Sequence, residues 1–382
     1  LTIPLRQQVA IGAYIVKQRI LGRTRYPLVL MLEPLFQCNL ACSGCGKIDY
    51  PEAVLRQRLS LDECLAAVDE CGAPVVTIPG GEPLLHKDIG AIVAGIVARR
   101  KFVYLCTNGL LLEKRLDLFT PSPYLTFTIH LDGLKEQHDK AVSQEGVYVR
   151  AVAAIAAARQ RGFRVGVNTT LFADANPQDL AAFLDTAKAM GVEGVTIAPG
   201  YAYERAPDQA HFLSRHKTRE LFRSVFRLGR GRKWPFNQSS LYLDFLAGNQ
   251  TYRCSPWGTP TRNVFGWQRP CYLLNEGTVA SFAELMNDTQ WERYGTGNYE
   301  KCANCMAHCG YEPTAVCDAA AHPLKTLMVA LRGPRTEGPM AADIPLDGQR
   351  PADFVFDEVV AQAVNESGPP ADAGAGRQRV SG

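Results

Sequence analysis

The sequence predicts an α/β fold, a partial (βα)6 TIM-like barrel followed by a Cys-rich C-terminal extension, and three observations predict it. From Leu28 to about Gly200, short apolar runs alternate with stretches of helical periodicity, the mark of repeated βα units on a parallel sheet. Glycines and polar or sulfur-bearing residues gather directly after those runs, at the strand ends where such barrels keep their chemistry. Three cysteines with the spacing C-x3-C-x2-C, Cys38, Cys42 and Cys45, follow the first run.

The elements follow in order. Residues 1–27 read as a basic amphipathic helix: Leu5, Val9, Val16 and Ile20 recur at helical spacing, and Arg6, Lys17, Arg19, Arg23 and Arg25 meet no acidic residue before Glu33. That pattern suits a membrane surface, the alternative being a helix whose apolar stripe packs on the barrel. The barrel domain spans 28–233, with strands at 28–33, 75–79, 102–107, 125–131, 163–170 and 194–198. Helices are predicted near 60–71, 87–100, 111–119, 147–161 and 178–190, and one near 208–229 completes the six units. Ser60 and Glu63 have the spacing of a capping box. From 234 to 332 the alternation ends, three tryptophans appear (Trp257, Trp267, Trp291) and six cysteines collect, which predicts a second, Cys-rich domain. Residues 333–382 are rich in Pro, Ala and Gly and are expected to be a disordered tail, with a short stretch at Phe354–Val360 able to dock or form a helix.

Composition sets limits. A chain of 382 residues, 46% hydrophobic, can bury a substantial core in more than one domain, and a net charge of +3 points to no nucleic-acid partner. Twelve cysteines without a leader pattern predict a reducing, cytoplasmic setting, peripheral to the inner membrane face if the first helix binds lipid. No apolar run approaches the roughly 20 residues of a membrane-spanning helix.

The chemistry starts from the cysteine triplet. Thiolates ligate iron–sulfur clusters, and a four-iron cluster held by three sulfurs keeps one iron open for a substrate or cosubstrate. Zinc is the rival, but zinc sites favour paired cysteines or histidines, and the first histidine is His86. The second strand runs into Gly80-Gly81-Glu82-Pro83, where glycines let main chain approach a ligand and Glu82 supplies a countercharge. The third ends in Cys106-Thr107-Asn108-Gly109 and the fourth in His130-Leu131-Asp132-Gly133, while Asn168 lies within the fifth.

Together these motifs resemble the radical S-adenosylmethionine (SAM) enzymes, over about Leu28 to Gly200. The resemblance implies a [4Fe-4S] cluster on the triplet, SAM at Gly80, Gly81 and Glu82, and further SAM contacts from Asn108, Asp132 and Asn168. Gly44 departs from the pattern, which usually has an aromatic residue there against adenine. Cys106, at a strand end, is either a packed thiol or a hydrogen-atom donor to a carbon radical. Cys64 and Cys71, on one helix away from strand ends, read as packing residues. Cys254, Gly266 and Cys271 are similar to the opening of the SPASM or twitch extensions that hold auxiliary clusters, whereas Cys302, Cys305, Cys309 and Cys317 depart from their spacing. A second iron–sulfur cluster, a zinc helped by His308, or plain thiols all remain open.

Beyond the barrel, Pro4-Leu5-Arg6-Gln7, the run from Glu33 to Cys42 and Cys45-Gly46-Lys47-Ile48 resemble the adenosylhopene transferases. That resemblance implies addition of the 5′-deoxyadenosyl radical to the terminal alkene of diploptene, giving adenosylhopane. It also implies an apolar triterpenoid as partner, a reductant protein such as flavodoxin or ferredoxin, and peripheral membrane contact. The alternatives are a radical SAM enzyme on another substrate, such as a peptide maturase with an auxiliary cluster, and a non-enzymatic Fe–S or zinc-binding protein.

Overall fold

Each of the six apolar runs of the barrel region becomes a strand: β1 (Val29–Leu32), β2 (Val75–Ile78), β3 (Phe102–Thr107), β4 (Leu125–His130), β5 (Arg164–Leu171) and β6 (Gly194–Pro199). This is a computed structural model, and it describes residues 3–45, 47–200, 212–274 and 276–346. The six strands pair in parallel in chain order, as right-handed βαβ units dictate. No pairing joins β6 to β1 among the described residues, so the barrel is partial; the free side of β1 takes β7 (Thr261–Asn263) in parallel, then β8 (Gly266–Gln268) and β9 (Thr278–Val279). The Cys-rich region thus extends the same sheet.

Alternation along the strands sorts the side chains onto two faces. Leu30, Leu32, Val76, Ile78, Val103, Leu105, Phe127, Ile129, Val165 and Val167 are buried in the main core together with helix residues. The other face is the barrel interior, and it is polar: Thr77 lies opposite Tyr104, Cys106 opposite Thr128, and His130 opposite Asn168. Register therefore decides that Cys106 and His130 point inward.

The helices are α1 (Leu5–Ile20), α2 (Glu52–Leu55), α3 (Leu61–Cys71), α4 (Ile89–Ala98), α5 (Leu112–Arg115), α6 (Lys135–Ala141), α7 (Val147–Gln160), α8 (Pro177–Ala189), α9 (Arg215–Leu228), α10 (Ser240–Leu246), α11 (Phe282–Asp288), α12 (His308–Ala321) and α13 (Pro323–Arg332). The Ser60–Glu63 capping box forms at α3. The helix expected over 111–119 is one α-turn followed by a 3-10 turn. The one expected near 208–229 begins at Arg215, capped by Ser214, and its first residues up to 211 lie outside the described residues. Sequence reading gave no helix at α6, whose seven residues carry no apolar periodicity. Its side chains make it: His138 accepts from the Asp132 amide, and Asp139 accepts from the amides of Gly146 and Tyr148.

One alternative falls and one expectation needs correction. Helix α1 forms as expected, and the stripe of Leu5, Val9, Val16 and Ile20 is 55–80% exposed, against the alternative in which that stripe packs on the barrel. The buried face is Gln7, Ile15 and Gln18; Ile15 packs with Tyr26 and Leu28, and Gln7 accepts a hydrogen bond from Tyr104 on the interior face of β3 at 3.0 Å. The tail expected from Gly333 is held as far as Asp343: Arg223 donates to the Gly338 carbonyl at 2.7 Å, and Arg219 pairs with Asp343 at 2.8 Å. Residues 347–382, with the Phe354–Val360 stretch, lie outside the described residues.

The buried face of α1 makes an expectation for stability. Ile15→Ala should cost about 2–5 kcal/mol in urea denaturation, the usual range for truncating a buried aliphatic side chain. Leu5→Ala and Ile20→Ala should stay within about 0.5 kcal/mol of wild type. Equal losses at all three positions would mean the exposed stripe is covered.

Candidate active site

The cysteine triplet sits on the loop that leaves the C-terminal end of β1. Its path is fixed by the turn after β2: the Gly81 amide donates to the Leu35 carbonyl at 3.0 Å and the Glu82 amide to the Gln37 carbonyl at 2.8 Å. A side chain at Gly81 would run into the carbonyl oxygens of Phe36 and Gln37, and Gly80 has φ +63° with the Leu35 carbonyl 2.7 Å from where a Cβ would lie. Only glycine fits either place. Within the loop, the Cys45 amide bonds the Cys42 carbonyl at 3.1 Å, closing the turn that brings the sulfurs together.

All three thiols are free and shifted upward. Burial pushes Cys38 up to about 12, aided by the Glu82 charge. Burial likewise raises Cys42, with added repulsion from Cys45 and Cys38. Cys45 is raised by burial, against the pull of the Lys47 amide and ammonium. Three half-buried, mutually repelling sulfurs are a donor set that a cationic metal centre relieves. The residues fit an iron–sulfur cluster.

Glu82 is the hub beside them. Its buried carboxylate accepts from the Leu84 amide at 3.0 Å, the Thr107 hydroxyl at 2.9 Å and the Asn108 amide at 2.9 Å. Burial outweighs those bonds and lifts its pKa to about 7. Asn108 in turn donates to Asn39, within the cysteine loop, at 2.8 Å. Gly80, Gly81, Glu82 and Asn108 are thus brought together with the triplet.

Cys106 lies deeper, its sulfur 3.4 Å from the Thr77 hydroxyl, and burial raises the thiol to about 11, so it keeps its proton near neutrality. Asp132 accepts from the Thr170 amide at 2.7 Å and lies 2.8 Å from Nε2 of His130. Burial opposes charge on His130, but the Asp132 carboxylate outweighs it and the ring's pKa is raised. Asn168 approaches Nδ1 of His130 at 3.5 Å, and its Oδ1 is buried without a partner among the described residues. Sequence reading missed His130 as a site residue; its position two before Asp132, on the inward parity of β4, was the available signal. It also missed Phe172, whose ring lies 2.8 Å from where a Cβ of Gly44 would be. The aromatic ring absent at position 44 is supplied in space from the end of β5.

The C-terminal cysteines form a second site. Cys254, Cys271, Cys302, Cys305 and Cys309 line one small cavity, closed by Leu273, Leu274 and Tyr311. Arg215, itself buried, donates to the Cys305 carbonyl at 2.8 Å and stacks against Tyr311. Burial raises each of these thiols, up to about 12 at Cys305, and at Cys254, Cys302 and Cys309 the neighbouring sulfurs add to it. Cys317 does not belong: its sulfur is 3.5 Å from the Tyr26 hydroxyl and packs against α1. His308 is exposed and does not line the cavity. Among the described residues no three His, Cys, Asp or Glu side chains are close enough to hold a single metal ion. Cys64 and Cys71 are core residues on α3.

Comparison with known proteins follows this division. The pattern of the radical SAM superfamily matches residues 32–187, and one described as a domain of unknown function (DUF3463) matches 195–329. GTP 3′,8-cyclase 1 of Mycobacterium tuberculosis is 31% identical over 202 residues, 48% of this chain and 56% of that one. The chain thus spans about half the length of that relative. Streptococcus suis SuiB bound to its precursor peptide SuiA has a like fold, with TM-score 0.57 and 15% identity over 77% of this chain and 73% of that one. Native anSMEcpe with bound AdoMet and Cp18Cys peptide gives TM-score 0.52 and 14% identity over 80% and 99%. These peptide-bound structures overturn the triterpenoid partner expected from the sequence. No described helix is long and apolar enough to cross a membrane.

Glu82 offers a test of the site's electrostatics. Its folded pKa, about 7, lies above its ordinary 4.5, so its contribution to stability is whole below 4.5 and is lost as pH rises through 7. At most about 3 kcal/mol is at stake. In metal-free protein the urea midpoint should fall between about pH 5 and pH 8, and Glu82→Gln should flatten that fall. An unchanged slope in the variant would show that Glu82 is already ionised when the site is empty of metal.

Proposed function

We propose that this chain, which belongs to the radical SAM superfamily, cleaves SAM reductively at Cys38, Cys42 and Cys45 and acts on a peptide-like substrate, with a second iron–sulfur centre in the five-cysteine cavity. The observation that carries the reading is the presence of two separate all-cysteine sites on one sheet. A lining of five cysteines, with no histidine among the described residues around the cavity, supports a cluster there over zinc. The folds of SuiB and anSMEcpe, solved with peptides, support the substrate class.

A four-iron cluster on the triplet would supply one electron to the sulfonium of SAM, yielding methionine and the 5′-deoxyadenosyl radical. The chain's own residues do the rest. The Gly80–Gly81 turn leaves main chain open to the amino-acid end of SAM, and an ammonium there favours ionised Glu82. Phe172 walls the place beside Gly44 where an adenine ring would lie. Asp132, His130 and the unpartnered Oδ1 of Asn168 present hydrogen-bonding groups to sugar hydroxyls. Cys106 keeps its S–H and faces the interior. The 5′-deoxyadenosyl radical would take a hydrogen atom from a substrate C–H bond, leaving as 5′-deoxyadenosine. Homolysis of the Cys106 S–H bond would then form a new C–H bond on the opposite face of that carbon, a net inversion. The thiyl would be restored by one electron from the reductant and one proton from water.

Anaerobic reconstitution with iron and sulfide, then dithionite and SAM, tests this. Wild type should carry about eight irons per chain, falling to about four when Cys38, Cys42 and Cys45 are all replaced by Ala, and to about four when the five C-terminal cysteines are. The first variant should release no methionine. Free 5′-deoxyadenosine is the expected coproduct; an adenosylated product would replace this reading with adenosyl transfer.

Cys106 has its own test. In deuterated water wild type should place one deuterium on product carbon through the exchangeable S–H, and Cys106→Ala should cleave SAM yet lose that label. A variant that labels its product like wild type would make Cys106 a packing residue.

A further inference from the structure

We propose that Lys47 is a positioning residue that ties the Cys38–Cys45 loop to the five-cysteine cavity and, with Glu33, balances the charge beside the first centre. The inference rests on the reading above, that both cysteine sites hold iron.

Lys47 is two residues past Cys45 and only 5% exposed. Its Nζ lies 2.7 and 2.8 Å from the two carboxylate oxygens of Glu33, which is fully buried at the end of β1. The same ammonium stands over the rings of Phe36 at 4.6 Å and Tyr272 at 4.9 Å. Tyr272 directly follows Cys271, whose sulfur lines the second cavity. Both backbone carbonyls there are pinned: Gln268 donates to Cys271 at 3.0 Å and to Tyr272 at 2.9 Å, and is itself held by Asn263 of β7 at 2.8 Å. Glu33 joins the same frame, its amide bonding the Arg262 carbonyl at 2.8 Å. One side chain therefore spans from the first cysteine loop to the second.

A buried ion pair is a poor source of stability, since desolvating both charges cancels most of their attraction, and apolar replacements often match it. What the pair does provide is neutrality at a dry place beside the triplet. Removing Lys47 leaves a buried negative charge there, which disfavours adding an electron to the centre; removing Glu33 leaves a positive one, which favours it.

The test is the sign. Midpoint potentials of the first centre, followed by electron paramagnetic resonance, should fall in Lys47→Met, rise in Glu33→Gln, and return near wild type in the double variant. A purely structural pair would lower iron loading in both single variants with no opposite-signed shift, and that result overturns the charge role. The tie is read separately: in the Cys38/Cys42/Cys45→Ala background, where only the second centre remains, Lys47→Met should alter its spectrum and Lys47→Arg should not. An unaltered spectrum overturns the tie. The neutral double variant keeps the test open if a single variant unfolds. Wild type without two iron signals would sink the functional reading itself, a different outcome from two signals that the variants leave unmoved.

Discussion

Two loops in this protein lie closer than a methyl group allows, and the rest of the site depends on it. The turn after β2 meets the cysteine loop after β1 at Gly80 and Gly81, where backbone takes the room that side chains would fill. The contact converts the β1–β2 register, Val29 opposite Val75, into a position for three sulfurs. Glu82 carries the constraint to β3 through Thr107 and Asn108, and Asn108 returns it to Asn39 in the cysteine loop. The ring is closed by hydrogen bonds between the two loops and β3. Its cost is a buried carboxylate and three half-buried thiols, all held toward their neutral forms. A bound cation reverses that balance by favouring the charged forms of all four.

The polar barrel interior follows from the same economy of placement. Apolar residues on one strand face pack against helices, leaving threonines, Cys106, His130 and Asn168 on the other. Among the described residues the Thr128 hydroxyl and the Asn168 side-chain carbonyl there have no partner, which supports an interior that faces a ligand. Cys106 sits among them as a protonated thiol, suited to giving up a hydrogen atom and poor as a nucleophile.

Much of this could be read in the chain. Strands, their order and the capping box at Ser60 depend on local periodicity and short spacings, which sequence carries directly. The triplet and the Gly-Gly turn are likewise local. What escaped depends on distance in sequence. Periodicity showed that α1 is amphipathic but not which face would be buried; Gln7 goes inward because Tyr104, 97 residues away, offers it a hydrogen bond. Helix α6 had no apolar pattern because side-chain bonds to neighbouring backbone build it. Cys317 matched the tally of clustered cysteines, yet α12 turns it toward Tyr26. Phe172 fills the space at Gly44 from another strand, a substitution in space that no spacing rule registers.

The two cysteine sites differ in a way that bears on their use. The first is an open loop with three sulfurs, which leaves a four-iron cluster one unligated corner for SAM. The second offers five sulfurs in a closed cavity, walled by Tyr311 and leucines and backed by Arg215. A fully ligated, enclosed centre there would have no corner for substrate, and its service would be electronic or structural. The sheet places it across β7 from the first, and Lys47 reaches between the two loops. A protein needing only a structural clamp could have used a single zinc ion and four clustered ligands. Five sulfurs, with no histidine among the described residues that line their cavity, would suit iron and sulfide better than one zinc ion.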